Sequence, residues 1–355
     1  QRYVEEHGLK EIYLSWFGSA RPEHYGISYR PLPGYPLHQG EAETFAFNPY
    51  HPAPGTYAIS VSNLQGVALR DPDTFLWFRQ RQPTARIGNS IFIYEVPAEE
   101  SEGTVCLGGV HLSDLDSATV EALLQRYVHI KTFAPQTSLV WPETGPLWLI
   151  TSDVAPFDSA LRETVMQQGK SIAEHGDYRV IHLADTQALD RWLAALTACS
   201  QAWWSPATAF PVDEPLREAM PLSLPADFAH RIALLGYQNT EGPLHPGEAF
   251  TVTSAWRVLD QSKPPLAIFV HLLSPEGQLV TGWDGLDVAS LSWVEGDTFV
   301  QVHHLTVPAE ADPGEYLLEL GVYSPETLAR WPISVSATDT TDRVLLALVQ
   351  VGEGQ

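Results

Sequence analysis

The spacing of hydrophobic and polar residues changes along the chain and divides it into predicted regions. Residues 1–97 begin with the end of a helix and a strand at 11–17, and a long loop rich in proline and aromatic residues follows. Two β-branched and aromatic runs, at 55–62 and 90–96, predict further strands, and 72–81 predicts a short helix. We therefore expect a small α/β region over 1–97.

The pattern from residue 104 to residue 205 alternates between strands and helices. Strands are predicted at 105–110, 129–133, 138–141, 147–151 and 178–183, and helices at 117–127, 158–168 and 186–197. The run Ser113-Asp-Leu-Asp-Ser117 is expected to cap the first of these helices, with Asp114 where a helix cap is favoured. Such alternation is typical of a small α/β domain, so we predict a second domain over 104–205.

The last part of the chain is predicted to be all-β. Residues 206–227 are rich in proline and acidic residues, which is typical of a linker. Six strands, at 231–238, 249–258, 266–273, 298–307, 316–323 and 343–351, are separated by Pro-Gly and similar turns. This spacing predicts an antiparallel β-sandwich over 228–355, of the immunoglobulin-like or carbohydrate-binding kind. The predicted fold class is thus multidomain, α/β plus all-β.

Charge excludes some partners. The 355 residues carry 43 acidic and 20 basic side chains, a net charge of -23. Such a surface repels phosphate backbones, so we expect no nucleic-acid partner. No run reaches the about 18–20 apolar residues of a membrane span. The chain opens at Gln1 on a sequence typical of the last turns of a helix, and we expect the natural polypeptide to extend upstream.

A cluster of aromatic, acidic and histidine residues stands out in the predicted sandwich. Its members are His271, Trp283, Asp284, Asp287, Trp293, Asp297 and His303. Aromatic rings beside carboxylates can bind a sugar, because the ring packs on C–H groups while the carboxylates accept hydroxyl hydrogen bonds. Asp284, Asp287, Glu295 and Asp297 could instead bind calcium, which prefers oxygen ligands. The third alternative is that the tryptophans are core anchors and the acids form turns.

Two details of this cluster can be tested against a structure. The run 283–287 is predicted to be a loop. His271 and His303 are predicted to face the same side of adjacent strands, as a hydrogen-bonded pair rather than as metal ligands.

The other candidate chemistry is weaker. His111, Asp114 and Asp116 would carry a site if the chain were a soluble enzyme with its active site in the middle domain. The motifs Cys-x-x-Cys, His-Glu-x-x-His and Gly-x-Ser-x-Gly are absent from the sequence. We identify no catalytic constellation and predict no cofactor. The two cysteines, Cys106 and Cys199, could form one disulfide or remain free thiols.

Several segments resemble a known family of proteins. In the first region these are residues 6–27, 55–66 and 83–94, which include Trp16-Phe-Gly18 and Tyr25-Gly-Ile27. In the last region they are Leu235-Gly-Tyr237, Pro246-Gly-Glu248, Phe269-Val-His-Leu-Leu273, Trp293, Gly296-Asp297, Pro313-Gly-Glu-Tyr316 and Gly321-Val-Tyr323. They resemble the C-terminal extracytoplasmic part of bacterial polytopic glycosyltransferases of the dolichyl-phosphate-mannose mannosyltransferase-like kind. The middle region resembles this family only weakly.

The resemblance implies a role without catalysis in this chain. Such enzymes use a lipid-linked sugar donor, and their catalytic acid lies near the first membrane span, which has no counterpart here. The chain would be an accessory region on the extracytoplasmic side of a bacterial membrane, in contact with its own upstream membrane domain. It would position the acceptor or bind a glycan or a lipid-linked sugar acceptor. The alternative is a free-standing carbohydrate-binding or cell-surface protein.

Overall fold

The chain is mostly β, with four sheets and few helices, in the computed structural model. The structure describes residues 1–18, 22–34, 47–67, 69, 71–152, 157, 161, 165, 169–205, 219–240, 242–260, 265–336 and 339–353. The helix predicted over 158–168 lies almost entirely outside these residues, as does the first part of the predicted linker, 206–218. Within the described residues, no helix is long and apolar enough to cross a membrane.

The first sheet lies in the region 1–97. Its strands are β1 (Ile12–Ser15), β2 (Tyr29–Pro31), β3 (Gly55–Ser60), β4 (Ala85–Ile87) and β5 (Ile91–Val96), in the order β2-β1-β3-β5-β4. Both faces of β3 are buried, because successive side chains point to opposite sides of a strand. Tyr57 and Ile59 pack against Phe75 and Phe78, whereas Ala58 packs on the other side. Short helices cover Arg2–Glu6, Val61–Leu64 and Leu76–Arg79.

The second sheet is formed by the middle of the chain. The strands there are β6 (Thr104–Gly108), β7 (His129–Phe133), β8 (Ser138–Trp141), β9 (Leu147–Ser152), β10 (Lys170–His175) and β11 (Tyr178–Leu183). All except β8 form one sheet in the order β10-β11-β9-β6-β7, in which β6 runs parallel to β7 and β9. Helices span Ser117–Leu123 and Gln187–Thr197.

The cap of the helix Ser117–Leu123 differs from the expected one. Asp116, rather than Asp114, caps it: its carboxylate accepts the backbone N–H groups of Ala118 and Thr119 at 2.8 and 2.9 Å. Asp114 ends a short 3-10 turn instead and accepts the N–H of His111 at 3.0 Å. The Asp-x-Asp spacing therefore gives two local backbone caps, which is the structural role that such residues favour.

The remaining strands form two larger sheets. They are β12 (Ala202–Trp204), β13 (Met220–Leu222), β14 (Ala226–Phe228), β15 (Ile232–Asn239), β16 (Ala249–Val258), β17 (Ala267–Leu273), β18 (Leu279–Gly285), β19 (Thr298–Thr306), β20 (Gly314–Tyr323), β21 (Ile333–Ser334), β22 (Thr340–Thr341) and β23 (Val344–Val351). The six-stranded sheet has the order β13-β12-β23-β20-β17-β18, and the seven-stranded sheet β22-β21-β14-β15-β16-β19-β8.

The two larger sheets share one hydrophobic core. Ile268 and Val270 of the six-stranded sheet belong to the same buried cluster as Val252, Trp256 and Val300 of the seven-stranded sheet. The alternation of side chains then places every second residue of β17 and β20 on the opposite, outer face of the six-stranded sheet. That outer face becomes important for the candidate site.

Strands from the middle of the chain enter both larger sheets. β8 pairs antiparallel with β19, with Trp141 opposite Thr298, and β12 pairs with β23 through Trp203 and Leu345. The helix Gln187–Thr197 packs on β15, where a Cβ on Gly236 would lie 2.6 Å from Thr197 Cβ. Strand β13 and the first two residues of β14 fall within the predicted linker. Periodicity identifies a strand but does not tell which sheet it joins, so these connections could not be seen in the sequence.

The loop predicted at 283–287 is partly wrong, because β18 extends through Gly285. Two glycines make this stretch resemble a turn, but both are required by close packing. A Cβ on Gly282 would lie 2.6 Å from the His271 ring, and one on Gly285 would lie 2.9 Å from the Trp283 ring. These glycines therefore mark close approach within a sheet rather than a chain reversal.

The two cysteines are free thiols. Cys106 is buried in β6, where its thiol donates to the carbonyl of Val140 at 3.3 Å, and Cys199 is exposed. Burial raises the pKa of the Cys106 thiol.

Candidate functional site

The predicted cluster is divided between the interior and the outer face of the six-stranded sheet. Trp293 belongs to the interior: it is 3% exposed and stacks on Phe299 with ring centres 5.0 Å apart. A ring so enclosed cannot offer its face to a sugar. Trp293 therefore acts as a core anchor.

Asp297 is also interior and forms an ion pair across two sheets. Its carboxylate lies 2.5 Å from Lys131 Nζ of β7, and the two residues are 2% and 0% exposed. The backbone N–H of Val294 donates to the same carboxylate at 2.6 Å. Burial raises the pKa of Asp297, and the Lys131 ammonium and the Val294 N–H oppose that shift. This pair joins the second sheet to the seven-stranded sheet.

His303 and Trp283 meet inside the core, away from His271. His303 is fully buried and lies 2.8 Å from Ser254 Oγ, which also accepts Trp256 Nε1–H at 2.8 Å. The rings of Trp283 and His303 meet edge to face with their centres 4.7 Å apart. Burial, with a smaller contribution from His304, lowers the pKa of His303 to about 3, so the imidazole is neutral at pH 7. The predicted pairing with His271 is wrong, because β17 and β19 belong to different sheets.

The remaining calcium candidates are separated. The Asp287 carboxylate accepts from Thr137 Oγ1 at 2.5 Å, and its backbone N–H donates to Gln301 Oε1 at 2.8 Å. Glu295 is exposed, and Asp284 lies on the outer face. Among the described residues, no group of three or more His, Cys, Asp or Glu side chains could hold a metal ion.

His271 and Asp284 alone of the predicted residues come together on the outer face of the six-stranded sheet. His271 lies between Val270 and Leu272, which point into the core, so its side chain points outward. His271 Nε2 is 3.2 Å from Asp284 Oδ1 on β18, and Nδ1 is 3.6 Å from Glu319 Oε1 on β20. The imidazole is thus held between two carboxylates.

Glu319 is the centre of this group. It is 1% exposed, and its carboxylate lies 3.2 Å from Arg343 and 3.6 Å from Arg330. Burial alone would raise the pKa of Glu319, but the contact with His271 and the charges of Arg343 and Arg330 outweigh it and lower that pKa. Glu319 is therefore ionised at neutral pH. We call Asp284, His271, Glu319, Arg330 and Arg343 the outer-face network.

Glycine and an aromatic ring shape the surface around the network. The Arg330 guanidinium lies over the ring of Phe269 at 4.3 Å from its centre. A Cβ on Gly321 would lie 2.4 Å from that ring, so glycine is needed for the ring to lie flat on the sheet. The Phe269 ring thus packs against the Arg330 guanidinium and holds it at the edge of the outer-face network.

One row of residues crosses the outer face from strand to strand. Trp203 pairs with Leu345, Leu345 with Glu319, Glu319 with His271, and His271 with Gly282. Leu345 also packs with Trp203, Leu273 and Leu317 in a small apolar cluster. The partly exposed Trp203 and His271 are three strands apart, which is about 14 Å at the usual strand spacing. One face therefore carries an aromatic end and a charged end.

Sequence reasoning missed four members of this arrangement: Trp203, Glu319, Arg330 and Arg343. A signal for Glu319 was present, because it is the single charge in the apolar run 316–323. A buried charge requires partners, and the nearby arginines could have been proposed as those partners. No local signal relates Trp203 to β23.

Comparisons with known proteins give little similarity. No protein-family model and no curated protein matches this chain. The solved C-terminal domain of wzt is 11% identical, with a TM-score of 0.24, over 38% of this chain and 81% of that one. A beta-glucosidase from Listeria innocua in complex with glucose is 16% identical, with a TM-score of 0.21, over 34% of this chain and 16% of that one. A CARDB domain from Pyrococcus furiosus in complex with di-metal ions is 12% identical, with a TM-score of 0.20, over 41% of this chain and 100% of that one. TM-scores this low do not define a shared fold.

Proposed function

We propose that this chain is a non-catalytic, extracytoplasmic accessory region of a membrane glycosyltransferase that uses a lipid-linked sugar donor. It binds a glycan on the outer face of the six-stranded sheet and so positions the acceptor. In this proposal, two small α/β regions precede a β-sandwich made of the two larger sheets, which share one core. The family resemblance of the first and last regions supports the accessory role.

The row from Trp203 to His271 is the observation that carries the glycan-binding proposal. Sugars present C–H groups that pack on an aromatic ring, and hydroxyl groups that pair with carboxylates and guanidinium groups. The outer face offers both kinds of group on one side of the same sheet. A span of about 14 Å between Trp203 and His271 suits an oligosaccharide better than a single sugar.

The binding proposal is tested by isothermal titration of the whole chain with mannotetraose, cellotetraose and maltotetraose. We expect at least one to bind, with Kd raised at least tenfold by His271→Asn and by Trp203→Ala. The matched control is His230→Asn, since His230 forms a similar surface pair with Asp227 at 2.6 Å but lies in the turn between β14 and β15 of the seven-stranded sheet. No binding to the unchanged protein, or equal binding by all variants, would reject the glycan-binding face.

The accessory role is tested on the native gene product. We expect an intact mass well above 39.2 kDa and extraction from cells only with detergent. A soluble product near that mass would reject the glycosyltransferase role. If that product also bound glycan, the alternative hypothesis of a free-standing carbohydrate-binding protein would remain.

A further inference from the structure

A cavity lies where three parts of the chain meet. This cleft, of about 270 Å³, is bordered by the first sheet, by the segment leading into β7 and by the loop before β19. We call it the three-region cleft. Its main polar and aromatic lining residues are Tyr13, Arg30, Asn48, Tyr57, Tyr127, His129 and Ser292. It shares no residue with the outer-face network.

Aromatic rings form one wall of the three-region cleft. Tyr13 stacks on Tyr57 with ring centres 4.5 Å apart, and the Arg30 guanidinium lies 5.7 Å from the centre of the Tyr13 ring. Tyr127 meets His129 edge to face at 5.3 Å. Burial and the neighbouring Tyr13 raise the pKa of Tyr127 to about 12, so its hydroxyl remains a hydrogen-bond donor at neutral pH. The wall can therefore hold a sugar ring and bind its hydroxyl groups.

The described residues that line this cleft include one permanent cation and no acid, unlike the strongly acidic protein as a whole. The sequence contains 43 acidic residues, yet none of the described residues that line the cleft is acidic, and Arg30 is a permanent cation. Glu11 pairs with Arg30 through Nε at 2.6 Å. That bond uses one of five guanidinium donors, so the remaining fork can still bind an anion. Another carboxylate near these side chains, Glu99, lies 3.6 Å from His51.

His129 adds neutral hydrogen-bonding capacity. Burial, with the charges of Lys131 and Arg30, lowers its pKa to about 4, so at pH 7 it presents one donor and one acceptor. The Lys131 charge is itself balanced by Asp297. The permanent cation that lines the cleft is therefore Arg30, whose Nε–H is bound by Glu11 and whose other guanidinium N–H groups can meet a ligand.

We infer that the three-region cleft is a binding site for an acidic sugar, one that carries a carboxylate or a phosphate. Arg30 pairs with the anionic group, the partly exposed Tyr13 ring packs on the sugar, and Tyr127 and His129 bind hydroxyl groups. A neutral sugar would give the remaining Arg30 N–H groups no anionic partner, and a free inorganic anion would leave the aromatic wall uncovered. Both should therefore bind more weakly than an acidic sugar.

The test is isothermal titration of the whole chain with four probes: glucuronate, glucose 1-phosphate, glucose and inorganic phosphate. We expect one or both acidic sugars to bind at least tenfold more tightly than glucose and inorganic phosphate. Binding of glucuronate alone would identify a carboxylate ligand, and binding of glucose 1-phosphate alone a phosphate ligand; either supports the proposal.

Three variants locate the binding. Arg30→Gln removes the cation, and Ala53→Phe narrows the cleft without changing any charge; each should weaken binding at least tenfold. The matched control, Arg86→Gln, removes an arginine of the same sheet that lies 4.8 Å over Phe92 but does not line the cleft, and it should leave Kd unchanged. The proposal is overturned if neither acidic sugar binds, if glucose or phosphate binds equally well, or if folded Ala53→Phe and Arg30→Gln both keep the original Kd.

Discussion

Two almost completely buried carboxylates in this molecule have different surroundings. Asp297 and Glu319 are 2% and 1% exposed, and each lies on or beside a strand of a large sheet. Asp297 has a single cation, Lys131, which is itself enclosed. Glu319 has three partners, His271, Arg330 and Arg343. His271 also contacts Asp284 and Arg330 also contacts Asp342, and the side chains of these two acids are 47% and 49% exposed.

This difference separates a structural ion pair from a candidate binding surface. An enclosed pair can act only on the interface that it crosses, because no ligand can reach it. A network that starts below the surface and ends in solvent can meet a ligand with preorganised groups. Burial of the carboxylate alone would not have distinguished the two, whereas the exposure of its partners does.

The largest expected effect comes from breaking the enclosed pair. We expect Asp297→Ala to lower the free energy of unfolding by about 3–5 kcal/mol, because Lys131 would remain buried without a partner. Chemical denaturation monitored by tryptophan fluorescence measures this. The control is Glu102→Ala, whose exposed pair with Arg126 should contribute less than about 1 kcal/mol.

The double variant Lys131→Met with Asp297→Leu sharpens this result. Because it removes both charges, it should recover most of the stability lost in Asp297→Ala. A double variant as unstable as the single one would contradict the account of the pair as a charge-balanced interior contact.

Removal of the carboxylate from the outer-face network should be less severe. We expect Glu319→Ala to cost about 2 kcal/mol, because Arg330 is 33% exposed and can turn to water or to Asp342. Denaturation under the same conditions gives the comparison directly. A loss equal to that of Asp297→Ala would remove the distinction between the two carboxylates.

The neutral interior histidine predicts a dependence of stability on pH. His303 has a lowered pKa of about 3, whereas an unfolded histidine has about 6.5, so the unfolded chain binds more protons between these values. His303 therefore makes stability fall as pH is lowered from 6.5 towards 3. His303→Gln should reduce the slope of the free energy of unfolding against pH, between pH 6 and pH 4, by the equivalent of about one proton. His304→Gln, which changes the exposed histidine next to His303, serves as the control. An unchanged slope in His303→Gln would contradict the assignment of His303 as a neutral interior histidine.

The smallest expected effect concerns Asp114 and Asp116, two acids that lie outside both the Lys131–Asp297 pair and the outer-face network. We expect Asp116→Ala to cost about 1 kcal/mol, because it leaves two helix N–H groups without their cap. Asp114→Ala, which removes exposed contacts with the His111 N–H and the Ser113 hydroxyl, should cost about 0.5 kcal/mol or less. Thermal unfolding of the two variants side by side measures the difference, and a larger loss for Asp114→Ala would reverse the assignment of the cap.

The sequence predicted individual elements better than their assembly. The strand expected at 249–258 coincides with β16, and that expected at 298–307 differs from β19 by one residue. Both are long runs with a clear alternation. β18 was missed because Gly282 and Gly285 resemble turn residues, although they are required by the rings of His271 and Trp283.

The candidate site was predicted only in part, for a physical reason. A tryptophan beside an acid looks the same in a core and on a binding face, so Trp293 and Asp297 were grouped with His271 and Asp284. Only the pairing of strands shows that His271 faces outward beside Glu319 while His303 faces the core. Such pairings join residues far apart in the chain, and local periodicity does not contain them.

The most direct test of the central claim is a crystal structure of the whole chain with the tightest-binding of the three tetrasaccharides. We expect the sugar to lie across the six-stranded sheet, with one unit packed on Trp203 and hydroxyl groups within hydrogen-bond distance of Arg330, His271 or Asp284. A tetrasaccharide bound elsewhere on the protein, with the outer face empty, would contradict the account.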